Sequence, residues 1–360
     1  MLAYWLLFAF FAAGAMFAHV EKAPVTAIAD GTPSRPERVP FQYLFIIGAV
    51  ATILMIGLRF RVGADWFNYI GIFTKVQRYS LSSALQLGDP GYELFNWIAS
   101  YLGLEIWFVN LVAATFFGWG LYRFCSVQPS PWLAFAVAVP YMVLVVAMGY
   151  TRQSMALGVL MAGLAKQVRG ASIFNFAYYV VLAATFHKTA VVVFPIVAIS
   201  SQGSRLLNFL VLIFASFFLY NYFLGDSMNQ LIVNYIDREY SSQGAGVRIA
   251  MNMVPAVLLW MFKGKLGFEP EEYRIWRNFA LVSLALSVLL FVLPSSTVVD
   301  RISLYMMPLQ IAVLTRVALL GESRIAGTTA VLCYLFSVQF VWLNFADHAR
   351  YWVPYQLYPF

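Results

Sequence analysis

Residues 41–58 read FQYLFIIGAVATILMIGL, and residues 59–69 follow at once as RFRVGADWFNY. The first stretch carries no charge, and as a helix it is long enough to cross most of the roughly 30 Å of hydrocarbon in a bilayer. The second closes it with Arg59 and Arg61, then Gly63 and Asp65. An apolar run ended by cations reads as a membrane-spanning helix, and the same pattern recurs from one end of the chain to the other.

Composition agrees. The chain is 62% hydrophobic and 11% charged with a mean hydropathy of +0.75, beyond the apolar share of a soluble domain. The sequence predicts an all-α polytopic integral membrane protein forming a single transmembrane domain over residues 1–360, with about twelve spans. They are expected at 1–19, 41–58, 105–124, 132–149, 151–168, 172–187, 188–201, 206–224, 247–263, 277–294, 300–317 and 325–343. The sixth and seventh are short and split by His187-Lys188, so a re-entrant hairpin also fits there. Residues 1–19 lack a basic leader and a cleavage site, which reads as a span and not a signal peptide. Cys125 and Cys333 have no paired spacing and read as packing residues. A net charge of +7 sits in short loops between spans, where topology and not nucleic acid explains it.

With residues 20–40 placed inside, more than half of the 23 basic residues fall inside as well. Half of the ten exceptions cluster on the other face: Arg59 and Arg61, Arg152, Lys188 and Arg301. On this orientation the two large outer segments are 59–104 and 225–246. In the first, Trp66, Tyr69, Ile70, Phe73 and Val76 recur at helical spacing and predict a short amphipathic interfacial helix. A second such helix is expected to start at Asp89-Pro90, a capping residue before a proline, with Leu94, Phe95, Ile98 and Leu102 on its apolar side. The second outer segment holds Asp237, Arg238 and Glu239 and leads through glycines to Arg248, which predicts a mobile loop.

A cation at the edge of hydrocarbon is costly and tends to face a cavity or an anionic partner. Arginine suits such a partner because its planar fork stays charged and grips phosphate at two points. Asp65 and Tyr69, like Arg301 and Tyr305, are four apart and share a face within a helix. Arg152 with Gln153 opens one span and His187 closes the next, so alternation brings them to the same rim. Plainer readings stand beside these. Arg59 and Arg61 fit as flanks snorkelling to the interface, Asp65 and Asp300 as ion-pair partners of Arg61 and Arg301, and His187 as a hydrogen-bonded structural residue. Arg238 and Arg248 fit either solvated surface or gates for a charged ligand.

The absences narrow the chemistry. The chain has no Walker-type loop, no His-Glu-x-x-His, no glycine-flanked serine and no Asp-x-Asp pair for a metal-bound nucleotide sugar. No metal or cofactor is expected, and the chemistry rests on arginine electrostatics plus a general base, Asp65 or His187.

The ordered set Arg59-x-x-x-Gly63-x-Asp65-x-x-x-Tyr69, Arg152-Gln153, Phe186-His187-Lys188-Thr189-Ala190 and Asp300-Arg301-x-x-x-Tyr305 resembles the EpsG-type branch of the Wzy polysaccharide polymerases. The likeness covers most of the chain and leaves 225–248 without a matching pattern. It implies polymerisation of O-antigen, capsule or exopolysaccharide repeat units at the periplasmic face of the bacterial inner membrane. A growing glycan would pass from undecaprenyl diphosphate to a second lipid-linked unit, with a chain-length regulator and a flippase as further partners. Arg59, Arg61, Arg152, Lys188 and Arg301 would then bind the diphosphate, while Tyr69, Gln153, Asp300, Tyr305, Arg238 and Arg248 would position the substrate. A flippase for a lipid-linked sugar and a glycan ligase remain the alternatives. The first usually brings repeated halves and charges at the bilayer middle, neither of which is evident in this sequence.

Overall fold

Lipid offers the backbone no hydrogen-bond partner, so an apolar run must close its bonds internally as a helix. The computed structural model describes residues 1–17, 40–200, 213, 217, 244–293 and 296–359. Among them the chain forms helices and no strand, with one isolated antiparallel bridge between Arg59 and Leu357. The first half holds α1 (Leu2–Phe17), α2 (Pro40–Gly57), α3 (Trp66–Val76), α4 (Leu81–Ala84), α5 (Pro90–Tyr101), α6 (Ile106–Cys125), α7 (Pro131–Ala138), α8 (Thr151–Gln167), α9 (Ile173–Phe186) and α10 (Val193–Ala198). The second holds α11 (Ala245–Met261), α12 (Pro270–Val292), α13 (Ser296–Leu304), α14 (Pro308–Val317) and α15 (Arg324–Phe345).

Helix boundaries follow the apolar runs closely, and among the described residues only part of the twelve expected spans is matched by a helix of full membrane length. Among the described residues three helices, α6, α12 and α15, are long and apolar enough to cross a membrane, and α13 with α14 makes a fourth if that pair, bent by 55°, is one span. Several of the others are shorter or broken. A π-helical turn, Val139–Ala147, continues α7, and a 3-10 turn, Lys188–Val192, separates α9 from α10 at the expected break between the sixth and seventh spans. Such breaks are tolerated where protein surrounds them, and every residue of the π segment is buried. The expected span 206–224 lies outside the described residues apart from Ile213 and Phe217. So do most of the 225–246 loop and Arg238.

The π segment and α8 form the centre. Thr151 and Gln153–Ala165 are buried around the whole circumference of α8. It packs closely on α6, where a Cβ on Gly120 would collide with the Gly158 carbonyl, the small-residue contact that lets helices approach in lipid. Outward-facing apolar side chains on α1, α12 and α15, among them Leu2, Phe291 and Phe345, remain exposed as a lipid-facing surface requires. The two ends of the bundle hold different polar groups. At one, Arg316 forms a two-point ion pair with Glu272 at 3.0 Å and donates to Gln128, a closed structural network. At the other lie Arg152, His187, Arg248 and Arg301.

Candidate functional site

Both expected short helices in 59–104 exist, and the second turns an unexpected face inward. Its buried residues are Tyr92, Glu93, Asn96 and Ala99, whereas Leu94, Phe95 and Ile98 are half-buried and Leu102 is exposed. The most deeply buried face is thus polar, because this helix covers a polar cluster, while on the expected apolar side Phe95 still packs against Phe116 and Phe186. Gly91 lets it come close: a Cβ there would stand 2.6 Å from Thr185 Oγ1 and 2.7 Å from Phe186, at the end of α9.

Asp89 sits at the N-cap of α5 but makes no capping bond with its side chain. Instead Oδ2 accepts from Arg152 Nη1 at 3.0 Å and faces His187 Nδ1 at 3.4 Å, while Oδ1 accepts the Lys188 backbone N–H at 3.2 Å. Burial alone would raise the Asp89 pKa. The His187 ring, the Arg152 guanidinium and the Lys188 N–H outweigh it and hold the carboxyl below its usual value. Glu93, one turn on, is buried too, and desolvation pushes it up to about 7 even with Arg152 nearby. Desolvation likewise raises the Tyr92 phenol. The edge of this cluster passes from Thr189 Oγ1 to Tyr305 Oη at 3.2 Å.

Gln153, next to Arg152 on the first turn of α8, ties this cluster to a second. Its Nε2 donates to the Arg301 carbonyl at 2.6 Å and its Oε1 accepts from Arg301 Nη1 at 3.4 Å. The Arg301 guanidinium stacks over the Tyr150 ring with its carbon 4.8 Å from the centroid, and among the described residues it pairs with no carboxylate. Asp300, expected beside Arg301, is taken by Arg248 instead: Nε donates to Oδ1 and Nη2 to Oδ2 at 2.7 Å. Arg248 Nη1 also reaches the hydroxyls of Tyr141 and Tyr150, each at 3.3 Å.

This second cluster opens on a cavity of about 690 Å³. Its polar lining includes Asp65, Arg248, Arg301, Tyr141, Tyr150, Asp347 and His348, and its apolar lining comes mainly from α15, with Val338, Val341, Trp342 and Phe345. A lining of this mixed kind suits a ligand with both a charged head and an aliphatic chain.

The remaining expected residues lie apart. Arg59 is fully buried, donating to the Ile56 carbonyl at 2.6 Å, to Thr151 Oγ1 at 2.8 Å and to Asn110 Oδ1 at 3.3 Å. It is a tie between α2, α6 and α8. Arg61 is exposed at φ 54°, its guanidinium over the Phe60 ring at 5.1 Å, and it does not pair with Asp65, which holds Asn68 at 3.1 Å. Tyr69 is buried against Tyr92 with ring centroids 5.9 Å apart. The structure therefore gathers Arg152, His187 and Lys188 on Asp89, gathers Asp65, Arg248 and Arg301 at the cavity, and leaves Arg59 and Arg61 outside both.

Sequence reasoning missed Asp89, read only as a cap, and the segment after α15. A 3-10 turn, Asp347–Tyr351, and the residues beyond it bring Asp347, His348 and Trp352 to the cavity. This segment is fastened by Gly63 N to Tyr351 O at 3.0 Å, Trp352 Nε1 to Leu144 O at 2.7 Å, and Tyr358 N to Leu58 O at 2.7 Å. The one signal available was its unusual aromatic density, Tyr351, Trp352, Tyr355 and Tyr358. A family model described as the EpsG family matches residues 42–357. No curated protein and no solved structure matches the chain.

Proposed function

The chain belongs to the EpsG family, and on that premise we propose that it is a membrane-embedded glycosyltransferase that polymerises lipid-diphosphate-linked oligosaccharide repeat units. Family membership supports a polysaccharide polymerase-type role. The finer reading, an undecaprenyl diphosphate donor used at the periplasmic face of the inner membrane, is supported by one observation: a cavity whose lining combines Arg301 and other polar groups with apolar side chains of α15. Arg301 in its lining is suited to the diphosphate and Tyr150 to a sugar face, while Val338, Val341 and Phe345 suit the polyprenyl tail.

In this reading the glycosyl C1–O bond to the diphosphate breaks as an acceptor hydroxyl oxygen bonds to C1. The leaving diphosphate keeps the electron pair, and arginine charge stabilises it as it departs. Arg152, one residue from the glutamine that holds Arg301, is the second cation at hand. A general base takes the acceptor proton, and Asp65 at the cavity and His187 beside Arg152 are its two candidates. Arg59 serves this site by holding α2 against α8, not by touching substrate.

Purified protein incubated with a lipid-linked repeat unit is expected to yield a ladder on a gel, undiminished by EDTA. Single units left unchanged by folded protein would overturn the reading. The bent pair α13 and α14 favours one rival, since transporters place broken helices at their substrate sites. Proteoliposomes separate the two: a flippase moves the lipid-linked unit across the bilayer without extending it.

A further inference from the structure

Resting on the polymerase reading, we propose that Asp89 is the positioning residue for His187. It holds the imidazole with its proton on Nδ1, so that Nε2 is the base that takes the proton of the acceptor sugar hydroxyl. Three observations carry this. The Asp89 carboxylate is committed on both oxygens, to the Lys188 N–H and to Arg152 and His187. A carboxylate held ionised by such neighbours only accepts hydrogen bonds, so the ring nitrogen facing it donates. Nε2, on the far side of the ring, is then the lone-pair nitrogen, and it is buried with no hydrogen-bond partner among the described residues. An orphaned buried nitrogen of this kind costs stability and asks for a function.

The fold over-determines the arrangement. Gly91 brings α5 against the end of α9, and His187 is the residue at which α9 stops, in an extended conformation at φ −158° and ψ 113°. The helix break points the Lys188 N–H at Asp89 instead of back along a helix. Asp89 forgoes the capping bond expected of its position. In the reaction the acceptor O–H proton passes to Nε2 as its oxygen bonds to C1 and the diphosphate leaves. The imidazolium, stabilised by Asp89, then releases the proton to solvent.

The titratable and charged groups around the ring are Asp89 and Glu93 from α5, Arg152 from α8, the adjoining Lys188, and Arg301 with Tyr305. The ring itself is read by the 15N spectrum of histidine-labelled protein, with His187 assigned by its loss in His187→Gln. The wild-type ring is expected in its neutral Nδ1–H form, and Asp89→Asn is expected to mix the two tautomers. A wild-type ring protonated on Nε2 would overturn the proposal without any activity measurement.

Turnover gives the second arm. His187→Gln is expected to cost on the order of 100-fold or more in rate, the share of a general base. Asp89→Asn is expected to lose part of that and to move the acid limb of the pH–rate profile to lower pH, because the ring loses the anion that favours its charged form. Asp89→Glu is expected to restore part of both, and the limb is expected to persist in Glu93→Gln. A slower Asp89→Asn enzyme with an unmoved limb would mean a merely structural role. Absence of polymer from wild-type protein would count against the polymerase reading, while a wrong tautomer counts against Asp89 alone.

Discussion

Arg248, in the first turn of α11, meets Asp300 of α13 at two points, and the pair is almost wholly buried. The guanidinium thus ties α11 to α13 at this depth. It also frees Arg301 from the partner its neighbour would otherwise be. Arg248→Ala is expected to remove a two-point partner from a buried carboxylate and to cost about 3–5 kcal/mol. The thermal midpoint in detergent should fall sharply. The double change Arg248→Met with Asp300→Leu should recover a large part of that loss, since an uncompensated buried charge costs more than an apolar replacement of the pair. Equal midpoints for the single and double variants would refute this account.

Gly63 gives a second test, of backbone and not charge. It lies at φ +109°, and a Cβ there would collide with the Met148 carbonyl, where the loop after α2 crosses the end of the π segment. Gly63→Ala therefore combines a strained conformation with overpacking and is expected to cost at least ~2 kcal/mol. Gly71, on an exposed turn of α3 with open space around it, is the control: Gly71→Ala should be neutral or slightly stabilising through helix propensity. Yield of monodisperse protein on gel filtration reads both.

These two positions also mark what the sequence could and could not convey. Hydropathy is a local property, so the run 41–58 reappears as Pro40–Gly57 and the run 151–168 as Thr151–Gln167. The motif residues were legible as a set for the same reason: polar groups stand out on an apolar background. Their partners were not. Asp89 looked like a cap because Asp-Pro before a helix usually is one, and only the approach of α9 turns its carboxylate elsewhere. Asp300 looked like the mate of Arg301 because the two are adjacent, yet adjacent helical residues point apart and Arg248 arrives from another helix. The polar character of the most deeply buried face of α5 escaped the sequence for a related reason. Inside a membrane protein the buried side of an interfacial helix can be the polar one, if that is where a site lies.

Arg301 and Arg59 should part company under mutation. Arg301 faces the cavity, held at its edge by Gln153 and Tyr150, so Arg301→Ala should leave the midpoint nearly unchanged and cut polymerisation on the order of 100-fold. Arg301→Lys should recover little, since a point charge neither stacks on Tyr150 nor grips a diphosphate at two places. Arg59→Ala should behave in the opposite way, with a fall of about 2–4 kcal/mol from lost packing and from Asn110 and Thr151 left unpaired. Activity per folded molecule would then fall less than stability. Arg59→Ala protein that is fully stable but inactive would return Arg59 to the substrate.

Glu93 yields a prediction whose sign is set by linkage. Its carboxyl is raised by burial from 4.5 to about 7, so the folded protein binds a proton that the unfolded chain has already released across that interval. The contribution of Glu93 to stability therefore declines as pH rises from 4.5 to about 7 and is flat above it, the reverse of a carboxylate held low by a salt bridge. Glu93→Gln keeps the shape without the ionisation and should abolish this decline, gaining on the order of 3 kcal/mol at pH 8 and almost nothing at pH 4. Thermal midpoints of both proteins across that range make the comparison, and parallel curves would show that Glu93 is ionised in the folded state after all. The neighbouring Asp89 provides the internal contrast. Its carboxyl is held below the usual value, so Asp89→Asn should cost stability at neutral pH and converge with wild type only in acid, as the folded carboxylate takes up its proton.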